Sequence, residues 1–229
     1  MTRLTIIIAA AAGLAASAQG VDNPFTEMFT ADNSGWRDSN AANPLAWVPA
    51  GSYNGSSYGA AGFNFVNSVL DDTPVIFRGQ DEFNHSNGAF DGDWIVDGAT
   101  EFMAFVRHDA PETLTFFARF SGPDNFPGAT AISFIPVAPN TWTPIMIDVS
   151  PTSPNFISFE GQDFETVFGA SPMNGFQGIG HIQIGVSVSD TLAGLDQGIT
   201  FDIDDISVTP TPATLLALGG LVALRRRRA

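Results

Sequence analysis

The sequence contains no cysteine and no lysine. Without cysteine the chain forms no disulfides, offers no thiolate ligands for zinc and has no thiol nucleophile. Its stability must therefore come from side-chain packing, with or without a bound metal. The basic residues are all arginines, and only four of them lie between the two ends of the chain: Arg37, Arg78, Arg107 and Arg119.

The scarcity of basic residues leaves a formal net charge of −15 at pH 7. Such a chain repels phosphate backbones and anionic lipids, which argues against nucleic acid as a partner and favours divalent cations or neutral polymers. The same charge would also keep an exported protein soluble or suit a salty environment. Composition alone leaves both interpretations open.

The aromatic content favours strands over helices. Twenty Phe and four Trp supply enough nonpolar side chain for a core, and they accompany many β-branched residues. We expect a signal peptide at residues 1–18, one β-sandwich domain at 19–209 and a C-terminal signal at 210–229.

The N-terminus has the three parts of a secretory signal. Arg3 provides a basic start, Ile6 to Ala16 form a nonpolar segment, and Ala16 and Ala18 flank Ser17 in the small-residue pattern that signal peptidase recognises before Gln19. The pattern predicts cleavage after Ala18 and export across the inner membrane.

The C-terminus combines a short motif, a nonpolar stretch and a basic cluster. Pro210, Thr211 and Pro212 precede the nonpolar residues 213–224, and four arginines follow: Arg225, Arg226, Arg227 and Arg228. The nonpolar stretch is short for a membrane-spanning helix, which needs about 20 residues. The arginines after it hold the C-terminal end at the cytoplasmic face of the membrane. This arrangement resembles the PEP-CTERM sorting signal of bacteria, although Thr211 stands where that family usually has Glu. The resemblance implies processing by an exosortase after transient anchoring in the inner membrane.

Between the two ends, nonpolar and polar residues alternate in short runs bounded by Gly, Pro, Asn and Asp, which is typical of strands joined by turns. The predicted strands are 180–189, 101–107, 114–120, 131–137, 145–149 and 199–208. In the first of these, Ile182 and Ile184 face one side while Gln183 and Gly185 face the other. The spacing of Phe164, Val167 and Phe168 predicts one short helix.

The last predicted strand changes phase. Phe201 and Ile203 alternate inward, but Ile206 and Val208 continue the nonpolar face, which predicts a β-bulge near residues 204–205. The run 201–206, together with residues 23–27 and 34–36, resembles the last and first strands of jelly-roll carbohydrate-binding and laminin-type modules. The resemblance implies a jelly-roll-like antiparallel β-sandwich whose terminal strands pair.

In those modules an early acidic residue and a late Asp often hold a structural calcium ion. Carried over residue by residue, the resemblance implies Glu27 and one of Asp202 or Asp204 as ligands. Calcium suits a chain rich in carboxylates and poor in imidazole. Asp91 and Asp93, with Asp97 nearby, form a second acidic loop that only partly matches a calcium loop, and an ordinary turn explains it equally well.

Candidate sugar contacts are aromatic, because a flat ring packs against a pyranose face. Most Trp side chains are expected in the core. Tyr53 and Tyr58 lie in the Gly- and Ser-rich residues 51–62, which we expect to be a flexible loop, and binding residues collect in loops of this kind.

No catalytic motif is present in the sequence. His85, His108 and His181 lie far apart without a nucleophile motif or a zinc-binding helix. We therefore expect a non-catalytic protein of the cell envelope or extracellular matrix that associates with exopolysaccharide or surface proteins. The alternatives are a carbohydrate-binding module with a defined sugar site and a secreted glycoside hydrolase or lyase.

Overall fold

The computed structural model describes residues 24–68, 73–160, 164–169 and 178–209. These residues form a β-sandwich of two antiparallel sheets, which confirms the all-β prediction. The predicted signal peptide with Ala16, Ala18 and Gln19, and the predicted sorting signal from Pro210 to the terminal arginines, lie outside the described residues.

The elements follow one another with few helices between them. The strands are β1 (Phe25–Glu27), β2 (Ala46–Val48), β3 (Tyr58–Asn64), β4 (Val75–Gln80), β5 (Glu101–His108), β6 (Phe116–Ser121), β7 (Gly128–Ile132), β8 (Thr143–Asp148), β9 (Phe156–Ser158), β10 (His181–Val186) and β11 (Gly198–Thr209). The described part contains one short α-helix, α1 (Phe164–Phe168), and 3-10 turns at Phe65–Asn67, Asp81–Phe83 and His85–Gly88.

The first sheet has the order β2-β3-β11-β5-β8, with β1 also paired to β11, and the second has the order β4-β10-β6-β7-β9. The first and last described strands are neighbours, since Phe25 lies opposite Val208 and Glu27 opposite Ile206. The predicted bulge is confirmed: the register of β11 against β5 shifts between Asp204 and Ser207, and Asp205 has a positive φ of 44°.

Alternation along the strands determines which side chains form the core. In β10 and β11 the predicted inward residues are buried, every second residue of β5 is buried, and α1 lies where the helix is predicted. The core is rich in large aromatic rings, the fully buried ones being Phe29, Trp36, Phe65, Phe77, Phe90, Trp94, Phe102, Phe116, Phe120, Phe168 and Phe201.

Two local predictions are wrong. Strand β7 covers Gly128–Ile132 rather than 131–137, and beyond it Val137 only forms an isolated bridge with Leu114. The expected loop 51–62 ends early, because Tyr58 begins β3. Close packing favours glycine at position 59 of β3, where a Cβ would lie 2.9 Å from Leu45 Cδ1.

None of the helices in the described ranges is long and nonpolar enough to cross a membrane.

Candidate functional site

A row of polar side chains crosses the outer face of the second sheet, which we call the arginine face. The ladder places Gln183 of β10 between Arg78 of β4 and Arg119 of β6. It continues from Arg119 to Thr130 of β7 and from Thr130 to Ser158 of β9. Residues paired across neighbouring strands share a face, so the row spans all five strands.

Arg37 extends this row beyond the edge strand. Its backbone N–H donates to Arg78 O at 2.8 Å, and the N–H of Arg78 donates to Arg37 O at 2.9 Å. The guanidinium of Arg37 stacks over the Phe83 ring at 3.9 Å. Three of the four arginines between the chain ends therefore lie in one row.

The residues in the middle of the row are buried beneath neighbouring side chains. Gln183 and His181 are each 3% exposed although they point away from the core. Asn125, in the loop between β6 and β7, covers them: its Oδ1 accepts from Gln183 Nε2 at 2.7 Å and from Arg119 Nη1 at 2.8 Å. The arginine face is therefore a recessed polar surface with a preformed hydrogen-bond network.

The arginines on this face differ in whether they pair with a carboxylate. Arg119 forms a two-point ion pair with Glu160, with distances of 2.6 and 2.7 Å, and this hydrogen bonding lowers the pKa of Glu160. Within the described residues, Arg37 and Arg78 form no ion pair. Burial, and after it the positive charge of Arg119, lowers the pKa of Arg78. Arg78 Nε donates to Ser39 O at 2.7 Å and Arg37 Nη1 to Ala42 O at 3.4 Å, while the charges of Asp38 and Glu82 act on Arg78 without an ion pair. Two adjacent cations held by backbone carbonyls favour an anionic or strongly hydrogen-bonding ligand.

At one end of the arginine face, Asp81 and Glu82 meet His181. The imidazole Nε2 lies 3.2 Å from Asp81 Oδ1 and 2.8 Å from Glu82 Oε2. Sequence reasoning missed this cluster, because the pairing of β4 with β10 joins segments that are far apart in the chain.

Tyr58 lies on the outer face of the first sheet, opposite the arginine face. Its hydroxyl accepts from Arg107 Nη2 at 3.2 Å, and the Arg107 guanidinium lies 4.7 Å from the Trp142 ring centroid. Arg107 also pairs with Asp202 at 2.7 Å. A cavity of about 240 Å³ opens here, lined by Tyr58, Arg107, His108, Asp109, Asn140, Thr200 and Asp202.

Tyr53 lies in the loop between β2 and β3. Its ring stacks on Phe105 with centroids 3.7 Å apart, and its hydroxyl donates to the Asp205 carboxylate. One ring face is therefore covered, while the side chain stays 42% exposed. The cavity that Tyr58 lines does not include Tyr53.

The residues predicted to bind calcium separate into two environments. Asp202 is held by Arg107, whereas Asp204 is fully buried and its Oδ2 accepts from Ser56 Oγ at 3.3 Å. Glu27 is buried on β1, and its Oε1 accepts from the N–H of Phe29 at 2.7 Å. These three carboxylates do not form a group of three converging ligands within the described ranges. Of the two late Asp residues, the ion pair disfavours Asp202.

The Asp204 carboxylate is only partly satisfied by hydrogen bonds. Its Oδ1 is buried without a hydrogen-bond partner, as is Oδ1 of Asp205. Burial raises the pKa of Asp204 to about 6. Unpartnered buried oxygens at the bulge fit the oxygen ligands that calcium takes, so the site is compatible with the predicted ion.

The second acidic loop does not present its carboxylates together. Asp93 Oδ1 accepts from the N–H groups of Ile95 and Val96 at 3.1 and 3.0 Å, as in an ordinary turn. Asp91 instead packs beside the buried His85 at 3.7 Å. The geometry favours the structural interpretation of this loop.

No protein-family model matches the chain, and no curated protein sequence matches it. Solved structures with a similar layout include the CBM22-1 and GH10 modules of xylanase 10B from Clostridium thermocellum, complexed with xylohexaose. That match has 16% identity and a TM-score of 0.49, and it covers 84% of this chain and 29% of that chain. An exo-beta-agarase matches at 12% identity and a TM-score of 0.47, covering 83% of this chain and 26% of its own.

The C-terminal family 22 carbohydrate binding module of the same xylanase matches at 9% identity and a TM-score of 0.45. It covers 85% of this chain and 98% of that module. The chain therefore spans less than a third of the two enzyme chains and nearly the whole of the isolated module.

Proposed function

We propose that the protein is an exported, non-catalytic, jelly-roll-like module that binds polysaccharide on the arginine face. The observation that carries the proposal is the polar row that runs from Arg37 through Arg78, Gln183 and Arg119 to Ser158. A row perpendicular to five strands gives a chain-like ligand a path across the sheet, with Arg37 and Arg78 as its partly exposed donors and Gln183 and Arg119 as the hydrogen-bonded support beneath it.

The side chains in this row suit a hydroxyl-rich ligand. Planar guanidinium and amide groups donate two hydrogen bonds in fixed directions, and the bonds between Gln183, Arg119 and Asn125 hold them in place before binding. Preorganisation lowers the entropic cost of association. Because Arg37 and Arg78 form no ion pair within the described residues, a polysaccharide with carboxylate groups is favoured over a neutral one.

The proposal includes no catalytic step. The cluster of Asp81 and Glu82 brings its ligand oxygens within 4.8 Å of one another, closer than the roughly 5–9.5 Å that separates the paired carboxyl groups of glycosidases. We expect no release of reducing ends from any polysaccharide that the protein binds.

The test compares the two outer faces with matched arginine variants. The wild type is run in native gels containing an acidic polysaccharide, a neutral one or none, and retardation measures binding. Arg78→Ala should weaken binding by about tenfold, because a hydrogen bond to a charged group is lost. Arg107→Ala removes the same residue type from the opposite face and should leave binding unchanged.

A second candidate site is the cavity beside Tyr58. Its lining combines the Tyr58 ring with the ion pair of Arg107 and Asp202, and the Trp142 ring packs against Tyr58 and Arg107. This combination suits a single sugar unit. Loss of binding in Arg107→Ala with Arg78→Ala unaffected would transfer the proposed function to this cavity. Retardation by no polysaccharide would refute both sites.

The proposal also includes export, which is inferred from the signals predicted at the two ends of the sequence. Mass spectrometry of the protein recovered from cells should find Gln19 as the first residue and should find the terminal arginines removed. A full-length chain in the cytoplasm would contradict export, and a mature chain that retains the arginines would contradict processing by an exosortase.

A further inference from the structure

Three potential metal ligands converge where the arginine face meets the end of β4. Asp81 and Glu82 lie in the 3-10 turn that directly follows β4, and His181 begins β10. The ladder sets Gln80 opposite His181, and the N–H of Asp81 donates to Gly180 O at 2.9 Å. The sheet therefore holds both carboxylates beside the imidazole.

The three side chains are close enough to share one cation after a small outward shift of the two carboxylates. His181 Nε2 lies 3.2 Å from Asp81 Oδ1 and 2.8 Å from Glu82 Oε2, and each of the three residues has a ligand atom within 4.8 Å of the other two. Zinc bonds of about 2.0–2.2 Å place tetrahedral ligand atoms roughly 3.3–3.6 Å apart. In the described residues, no other group of three or more His, Asp or Glu side chains has this arrangement.

The second nitrogen of the imidazole is oriented by Asn125. His181 Nδ1 lies 3.4 Å from Asn125 Oδ1, and that oxygen is an acceptor because Gln183 and Arg119 already donate to it. In metal-binding histidines an acceptor of this kind holds the nitrogen that does not bind the metal. Nε2 faces two carboxylate oxygens, so a cation bound there would take the place of the proton that Nε2 otherwise shares with them.

A buried oxygen beside the cluster lacks a partner. Gln80 is 7% exposed, and its Nε2 donates to Glu82 Oε1 at 2.8 Å, which holds the amide at the cluster. Its Oε1 has no hydrogen-bond partner in the described part of the chain. Burying an unpartnered acceptor is costly, and a metal ion or its bound water would satisfy it.

We propose that Asp81, Glu82 and His181 bind a divalent transition-metal ion, with zinc as the best match. One imidazole nitrogen with two carboxylates is a donor set that zinc accepts, whereas calcium and magnesium take oxygen ligands. Asp81 is 33% and Glu82 48% exposed at the side chain, so the remaining coordination positions are open to water. The proposal does not rest on polysaccharide binding.

The test is calorimetric titration of the chelator-treated protein with zinc, without polysaccharide. We expect one zinc ion per chain. Glu82→Gln, at a half-exposed side chain, should fold normally and bind zinc about tenfold or more weakly, and Asp81→Asn should act in the same direction. His181→Ala should abolish binding.

The matched control is the double variant Glu101→Gln and Asp148→Asn, which removes two carboxylates that face each other across β5 and β8. It should bind zinc as the wild type does. Zinc affinity that is equal in the wild type and Glu82→Gln, or no binding by the wild type, would overturn the proposal. Calcium in excess should not displace the zinc, and displacement would likewise contradict this donor set.

Discussion

His85 Nε2 lies 3.7 Å from Asp91 Oδ1, yet the two side chains do not behave as an ion pair. Burial lowers the pKa of His85 to about 4 and raises the pKa of Asp91 to about 7. Asp81 and Glu82 add to the increase for Asp91. Neither ring nitrogen of His85 has a hydrogen-bond partner among the described residues, so both groups are neutral near pH 5 to 6.

These shifts predict opposite effects of pH in two single variants. Asp91 stabilises the folded state below its unfolded pKa of 3.8, and this contribution is lost as pH rises through about 7. His85 contributes above its unfolded pKa of 6.5, and this contribution is lost as pH falls through about 4. As pH rises from about 4 to 7, Asp91→Asn should therefore gain stability relative to the wild type, on the order of 4 kcal/mol. His85→Gln should lose stability relative to the wild type as pH rises from about 4 to 6.5.

The measurement is the free energy of unfolding by urea at several pH values, taken as the difference between each variant and the wild type. Using differences removes the background from other carboxylates. Slopes of the reverse sign would mean that His85 and Asp91 form a charged pair in the folded state.

Calcium should stabilise the protein through Asp204 and not through Asp202. After treatment with chelator, addition of calcium to about a hundred times its dissociation constant should add about 2.7 kcal/mol of stability, seen as a higher melting temperature. Asp204→Asn should abolish this rise, because it removes the buried carboxylate at the bulge whose Oδ1 has no partner. Glu27→Gln, on the neighbouring strand β1, should act in the same direction if Glu27 is the second ligand.

Asp202→Asn is the matched control for calcium. Asp202 is engaged by Arg107, so its variant should keep the calcium-dependent rise in melting temperature. If Asp202→Asn abolished the rise and Asp204→Asn kept it, Asp202 and not Asp204 would be the calcium ligand. No rise in the wild type would exclude a structural calcium ion.

Sequence periodicity predicted the features that depend on one strand alone and not on which strands pair. The alternation of Ile182, Gln183 and Ile184 predicted β10, and the phase change after Ile203 predicted the bulge. Both signals arise because a strand with one buried face must alternate, and an extra residue must shift the alternation.

The arginine face was not predictable in this way, because it depends on which strands pair. Arg78, Gln183 and Arg119 lie opposite one another only through the order β4-β10-β6. Likewise, Asp81 and His181 are brought together by long-range pairing. Composition misled the prediction for residues 51–62, because close packing beside Leu45 favours glycine at position 59 of β3.

Gly185 of β10 should not tolerate a side chain. A Cβ at this position would lie 2.4 Å from both Phe117 Cζ and the backbone oxygen of Pro74. Gly185→Ala should therefore destabilise the protein by about 1–3 kcal/mol, as in overpacked cores. Gly62→Ala in β3 is the control, since its Cβ would meet nothing within 4 Å. Urea denaturation should separate the two variants, and equal stabilities would contradict this packing.

Arg78 should lower the stability of the folded protein. It is half-buried, lies opposite Arg37 in the ladder and is affected by the charge of Arg119. Like charges on neighbouring strands are destabilising by up to about 1 kcal/mol. Arg78→Gln should therefore unfold at an equal or higher urea concentration than the wild type while losing polysaccharide binding.

Arg119→Gln provides the contrast, because Arg119 forms the ion pair with Glu160 and donates to Asn125. Removing it leaves Glu160 without its partner and should cost about 1–3 kcal/mol. The two arginines lie on the same face and flank the same residue, Gln183, so opposite changes in stability would separate a residue retained for binding from one retained for structure. If Arg78→Gln destabilised the protein as much as Arg119→Gln does, Arg78 would be a structural residue, and the arginine face would lose its principal candidate contact.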